Sequence, residues 1–123
     1  MFTKIYLHIV KCEYNIVMNI NTKVFTVLAN QTRLDILQWL KNPEKEITSV
    51  SCETVQFMMK EKGGICVADI VKRAGLAQST VSKYLSDLQT CGLLISERHG
   101  KWTYYRRNEE NIQALAKVIS EEL

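Results

Sequence analysis

A mainly α-helical domain carrying one β-hairpin is the fold class the sequence predicts. Apolar residues recur at helical spacing through several stretches between residues 21 and 91 and again after residue 108. Gly75 and Gly92 each stand where such a stretch must end, glycine being the residue that accepts the left-handed conformation at no steric cost. A glycine turn near residue 100 then separates two runs rich in β-branched and aromatic side chains, which read as paired strands. With 123 residues the chain supports one domain with one modest core.

In chain order, residues 1–20 mix β-branched and polar types without a clean period and are read as an N-terminal extension with no assigned structure. Residues 21–123 form the domain. Asn21 or Thr22 caps a first helix whose Val24, Phe25, Val27 and Leu28 make one apolar face ending near Ala29. Asn30 caps a second, in which Leu34, Ile36, Leu37, Trp39 and Leu40 are inward and Asn42-Pro43 is the stop. Residues 44–64 are polar at both ends but hold Val55, Phe57, Met58 and Met59, so a short helix is expected inside a long connection closed by Gly63-Gly64.

Val67, Ile70, Val71 and Ala74 give residues 66–74 helical spacing, and Gly75 ends that helix. Within three residues another begins. In residues 78–91, Val81, Leu85 and Leu88 form an i, i+4, i+7 stripe, with Ser79, Ser82, Lys83 and Ser86 opposite. Two short helices joined by a tight glycine turn, the second with a small, polar and basic outer face, are the signature of a helix-turn-helix. Residues 93–98 and 102–106 are the hairpin strands, with His99-Gly100 as the expected turn and His99 accepting a positive φ. Asn108 caps a closing helix with Glu109 and Glu110 in its first turn, where carboxylates suit the helix dipole. Its stripe of Ile112, Leu115, Ala116, Ile119 and Leu123 needs another surface to cover it.

Composition excludes several classes. Hydrophobic residues at 46% and charged residues at 24% are ordinary for a globular protein. No apolar stretch approaches the ~20 residues of a membrane span, and no secretory leader is evident, so the chain is placed in the cytoplasm with no membrane partner. Cys12, Cys52, Cys66 and Cys91 are scattered, without Cys-x-x-Cys, which argues against a disulfide framework or a zinc ribbon. The net charge of +3 is unevenly spread: residues 66–107 carry seven basic side chains against three acidic, so the remainder is slightly negative. A basic middle is what attraction to phosphate on one face requires. Glu109, Glu110, Glu121 and Glu122 sit at helix ends, where dipole and solvation explain them. With no activated nucleophile or phosphate loop, the expectation is not an enzyme.

With residues 28–37 opening the second helix, 75–85 forming the helix-turn-helix and 100–106 the hairpin, the chain from residue 23 onward resembles ArsR-type winged helix-turn-helix transcriptional regulators. Leu28-Ala29-Asn30-Gln31-Thr32-Arg33-Leu34-Asp35-Ile36-Leu37 resembles that family's opening segment, with Gln31 in place of the usual proline. Gly75-Leu76-Ala77-Gln78-Ser79-Thr80-Val81-Ser82-Lys83-Tyr84-Leu85, followed by Leu88 and Gly92-Leu93-Leu94, resembles its recognition helix, with Ala77 replacing the usual serine cap. Gly100-Lys101-Trp102-Thr103-Tyr104-Tyr105-Arg106 resembles its wing. The resemblance implies a homodimer built from the first and last helices, here Val24, Phe25, Leu28, Ile112, Leu115 and Ile119. It also implies a recognition helix in each major groove of double-stranded operator DNA.

The function expected is a repressor released by an unidentified effector, and the residue chemistry agrees with its DNA contacts. Gln78, Ser79, Thr80, Ser82 and Lys83 occupy the helix end that reaches bases and phosphates, and Arg98, Lys101 and Arg106 supply phosphate contacts from the wing. Tyr84 can either pack beside the core stripe or reach a phosphate. Of Trp102, Tyr104 and Tyr105, at least half must cover the core. Metal-sensing relatives carry Cys-x-Cys where this chain has Cys66-Val67-Ala68. A soft metal ion or thiol response at Cys66 would therefore need Cys12 or Cys52 as further ligands, and a structural role is preferred, with no cofactor expected. The other family site, on the last helix, lacks its histidines here. A different function class remains alongside: a winged-helix protein-interaction module using Phe57-Met58-Met59 instead of direct DNA readout.

Overall fold

The computed structural model describes residues 22–123, so the extension expected over residues 1–20, with Cys12 and His8, lies outside the described residues. Helix α1 spans Lys23–Leu28 and α2 spans Gln31–Lys41. Asn30 caps α2 as its side chain foretells, accepting the Arg33 amide at 3.0 Å. The proline that ends α2 also begins the next element: α3 spans Pro43–Glu46, with Pro43 in the first turn, where its missing N–H is not needed. Helix α4 is Cys52–Phe57, capped by Ser51, and runs on into a wider π-turn over Met58–Lys62 that Gly63 ends at φ 76°. The connection expected to hold one short helix therefore holds two and a π-turn.

Strand β1, Ile65–Cys66, leads directly into α5, Val67–Ala74, with Cys66 as the N-cap residue. Gly75, at φ 66°, turns the chain toward α6, Gln78–Thr90. Strands β2, Leu94–His99, and β3, Trp102–Arg107, form the hairpin, and α7, Glu109–Glu122, closes the domain. The sheet is antiparallel in the order β1-β3-β2.

Two expectations are corrected. Helix α5 starts one residue later than its apolar pattern suggests, because Ile65 and Cys66 pair with Tyr105 and Tyr104 of β3. In the hairpin His99 pairs with Trp102, so the turn is Gly100-Lys101. Among the described residues only glycines have positive φ, so His99 is ordinary strand backbone and Gly100 alone, at 66°, takes the unusual conformation. Glycine first and an ordinary residue second is the pattern of a type II′ turn, whose twist matches the strands.

One core runs through the domain. Val24, Ile36, Val55, Ile65, Ile70, Val81, Leu85 and Leu88 are fully excluded from solvent. These side chains come from α1, α2, α4, β1, α5 and α6, so every helix that precedes the hairpin except α3 anchors through at least one of them. Helix α7 is tied to the exit of α6 by polar contacts: the Asn108 amide donates to Leu93 O at 2.9 Å, and Asn111 Nδ2 donates to Gly92 O at 2.9 Å.

Candidate nucleic-acid interface

The alternation of residue types along α6 becomes two faces. Val81, Leu85 and Leu88 are sealed in the core, while Gln78, Ser79, Ser82, Lys83 and Ser86 are exposed and Thr80 is half-buried. At the N-cap, Ala77 offers no side-chain acceptor, so no cap bond occupies the first-turn amides. An uncapped N-terminus with exposed hydroxyls and an amide side chain suits an anion or hydrogen-bonding base edges.

The aim of that helix is fixed from behind by Arg33. Its Nε donates to Val27 O at 2.6 Å, Nη1 pairs with Asp87 Oδ2 at 2.9 Å, and the guanidinium lies 5.2 Å from the centre of the Tyr84 ring. One arginine thus joins the end of α1, its own helix α2 and the middle of α6. Tyr84 is half-buried under it and packs against the core. The other carboxylate oxygen of Asp87 holds Lys83 Nζ at 2.6 Å, orienting a side chain that is 72% exposed. Arg33 is the functional residue that sequence reasoning misses, because its partner lies 54 positions away.

In the wing, strand register sorts the basic residues. Leu94, Ser96, Tyr105 and Arg107 share one sheet face, turned toward the helices: Ser96 accepts from Gln89 of α6 at 2.9 Å, and Arg107 Nη1 donates to Leu37 O at 3.1 Å. Ile95, Glu97, His99, Trp102, Tyr104 and Arg106 share the other. Arg106, expected to reach phosphate, pairs with the Glu97 carboxylate and donates to Gly63 O at 3.0 Å, with its side chain 36% exposed. That arginine, with His99 at 3.2 Å, pulls the Glu97 carboxyl below its ordinary value. Arg98 and Lys101 remain exposed at the tip, Arg98 Nε donating to Gly100 O at 3.0 Å. Trp102 is 46% exposed beside Lys101, while Tyr104 and Tyr105 are half-buried and burial pushes both phenols up.

The six residues expected at a dimer seam divide. Val24 and Leu115 are buried in the protomer's own core, which corrects their assignment to a seam. Phe25 and Ile119 are exposed, Leu28 and Ile112 are half-buried, and Leu34 of α2 adds a further exposed apolar side chain. Met58 is also core, so of the Phe57-Met58-Met59 segment only Phe57 is substantially exposed. Cys66 is half-buried, Cys52 exposed and Cys91 buried, the last with its thiol pushed up by burial. Among the described residues no three histidine, cysteine or acidic side chains gather as a metal ion would require.

A small helical domain with an outward polar recognition helix and a basic hairpin beside it is a winged helix-turn-helix. Comparison with known proteins gives the family. Residues 55–96 match the family described as bacterial regulatory protein, arsR family. The chain is 39% identical over 104 residues to the HTH-type transcriptional regulator YbzH of Bacillus subtilis, covering 82% of this chain and 96% of that protein. It is 28% identical over 99 residues to the arsenical resistance operon repressor of Escherichia coli, covering 80% of this chain and 68% of the relative. Among solved structures it is similar to the homodimeric winged helix-turn-helix DNA-binding domain Mb0332 of Mycobacterium bovis, a possible ArsR-family regulator. That match has a TM-score of 0.56 and 27% identity, over 86% of this chain and 82% of that one. The chain belongs to the arsR family of bacterial transcriptional regulators.

Proposed function

We propose that this chain is a homodimeric transcriptional repressor that binds operator DNA in the cytoplasm and leaves it when an effector binds. Its work is binding, not catalysis. The observation that carries the reading is the split character of α6, apolar residues sealed on one side and Gln78, Ser79, Ser82 and Lys83 bare on the other. Residues 21–123 act as one unit for DNA binding and dimerisation. Gln78, Ser79, Thr80, Ser82 and Lys83 face the major groove, and Arg98 and Lys101 hold the flanking backbone. Arg106, paired with Glu97 and still partly exposed, steadies the wing and adds a backbone contact beside them. Phe25, Leu28, Ile112 and Ile119 form the seam, an arrangement supported by their exposed or half-buried positions and by the homodimeric Mycobacterium bovis domain.

Selection of bound duplexes from genomic fragments, followed by fluorescence anisotropy, tests this. The expected result is specific binding at about 10⁻⁸ M or tighter near physiological salt, falling steeply as salt rises. Lys83→Ala should weaken binding at every sequence. Serine and glutamine changes at Ser79 and Gln78 should alter which sequences are preferred. Sedimentation should give a dimer. A stable monomer, or absence of salt-sensitive binding at about micromolar protein, overturns the proposal.

A further inference from the structure

Outside the surfaces already described, the molecule has an open cleft of about 490 Å³ lined by Lys45, Glu46, Thr48, Ser49, Lys72 and Arg73. It lies between the segment following α2 and the last turn of α5. Its cations fall into two kinds. Arg73 is fixed: Nε donates to Glu46 O at 2.9 Å, Nη2 pairs with Glu46 Oε1 at 3.0 Å, and the guanidinium lies 4.6 Å from the Trp39 ring centre. Glu46, the only acid in the lining, is therefore already paired. Lys45 and Lys72 are exposed and form no ion pair among the described residues, which leaves the lining with a net charge of plus two. The Ser49 hydroxyl is committed to Asp69 Oδ1 at 2.7 Å, on the first turn of α5, where the helix dipole offsets that buried carboxylate. The exposed Thr48 adds a hydroxyl beside the two lysines.

The position of this cleft suggests its ligand. Five peptide steps separate Arg73 from Gln78, the first residue of the recognition helix, so their Cα atoms are at most about 18 Å apart. The walls of a major groove stand about 12 Å apart, and the first helix of a helix-turn-helix crosses the backbone while the second enters the groove. A last turn of α5 within that reach of α6 is close enough to meet the strand bordering the groove that α6 would occupy. We infer that the cleft is a phosphate site in which Lys45, Lys72 and Thr48 seat the DNA backbone outside the major groove. This inference rests on the DNA-binding reading above and extends it to residues 45–49, contributed by the connection that leaves α2.

The test compares the parent protein with Lys45→Ala/Lys72→Ala and with Lys23→Ala/Lys60→Ala, which removes equal charge from exposed positions elsewhere. Each is titrated with a duplex selected from genomic fragments, at several salt concentrations. The homodimer loses two phosphate contacts per protomer, four in all, which lowers the slope of log affinity against log salt by about 3.6, equivalent to roughly 900-fold weaker binding at about 0.15 M salt. The control pair should change the slope by less than half as much. Equal slopes for the parent and the cleft variant, or an equal drop in the control pair, overturn the inference while leaving DNA binding intact. Failure of the parent to bind any duplex sinks the DNA reading and this inference with it. In a second arm, inorganic phosphate is titrated while the Thr48 and Ser49 amides are followed by NMR. A saturable shift that the cleft variant lacks, together with unchanged DNA slopes, would make the cleft a free-anion site and overturn the assignment to DNA backbone.

Discussion

Replacing Arg33 by alanine removes three contacts at once, and the structure sets the size of the loss. The guanidinium donates to Val27 O at 2.6 Å, pairs with Asp87 at 2.9 Å and covers Tyr84, with its side chain only 16% exposed. Hydrogen bonds involving a charged group contribute about 1.5–3 kcal/mol each when intact. Here the sum is smaller, because Asp87 keeps Lys83 as a partner and is itself 21% exposed. A loss of about 2–3 kcal/mol follows, part of it the orphaned Val27 carbonyl and part the uncovered ring. At about 4–8 °C per kcal/mol for a domain of this size, Arg33→Ala should unfold about 10–20 °C below the parent. Urea and thermal unfolding at one fixed protein concentration measure this, since an associating protein's Tm depends on concentration. A double-mutant cycle with Asp87→Ala should return a coupling of about 1 kcal/mol or more. Arg33→Lys should rescue little, because an ammonium cannot span carbonyl and carboxylate with a planar fork. If Arg33→Ala stays within about 0.5 kcal/mol of the parent, or the cycle shows no coupling, the assignment of Arg33 as the tie between α1 and α6 is wrong.

Other outcomes are equally specific. Gly64→Ala should cost about 2 kcal/mol or more by denaturant midpoint, because a Cβ there would overlap the Tyr105 carbonyl and come within 2.8 Å of its nitrogen. Gly75→Ala, whose Cβ meets nothing, should cost only the left-handed strain of about 1 kcal/mol. The Glu97 carboxyl titrates below its ordinary value of 4.5 in the folded wing, so its contribution is full above that value and is lost as pH falls through the lowered folded one. Denaturant melts of parent and Glu97→Gln should therefore differ near neutrality and converge in acid. Among the described cysteines, a thiol reagent at mildly alkaline pH should label exposed Cys52 before Cys91, which it should reach only on unfolding, since burial both shields that thiol and raises its pKa.

Features that depend on neighbours in the chain were legible from it. Asn30 and Asn108 cap the helices they precede, Gly75 ends α5, and the stripe Val81, Leu85, Leu88 is buried as its spacing requires. Features that depend on distant partners were not. Strand β1 has two residues and exists only because Tyr104 and Tyr105, some forty positions on, pair with it. A single glycine near a hairpin tip is compatible with two registers, as second residue of a type I′ turn or first of a type II′. The diagonal contacts Glu97–Arg106 and His99–Tyr104 go with the second. The register brings Arg106 diagonal to Glu97, whereas Arg98, on the opposite face near the tip, stays exposed, so two residues alike in chemistry end in different surroundings. Val24 and Leu115 have the right period for a seam, but periodicity records only that a side chain leaves water, not whether its own protomer or another covers it.

The anchoring of α7 has a mechanical consequence. Its first turn is fastened to the exit of α6 through Asn108 and Asn111, whereas Ile119 and Leu123 at its far end are exposed. Fourteen residues make an arm of about 21 Å, so 1 Å of travel at the tip corresponds to about 3° at the pivot. A displacement of that kind is passed to Gly92 and Leu93, the residues that directly follow α6.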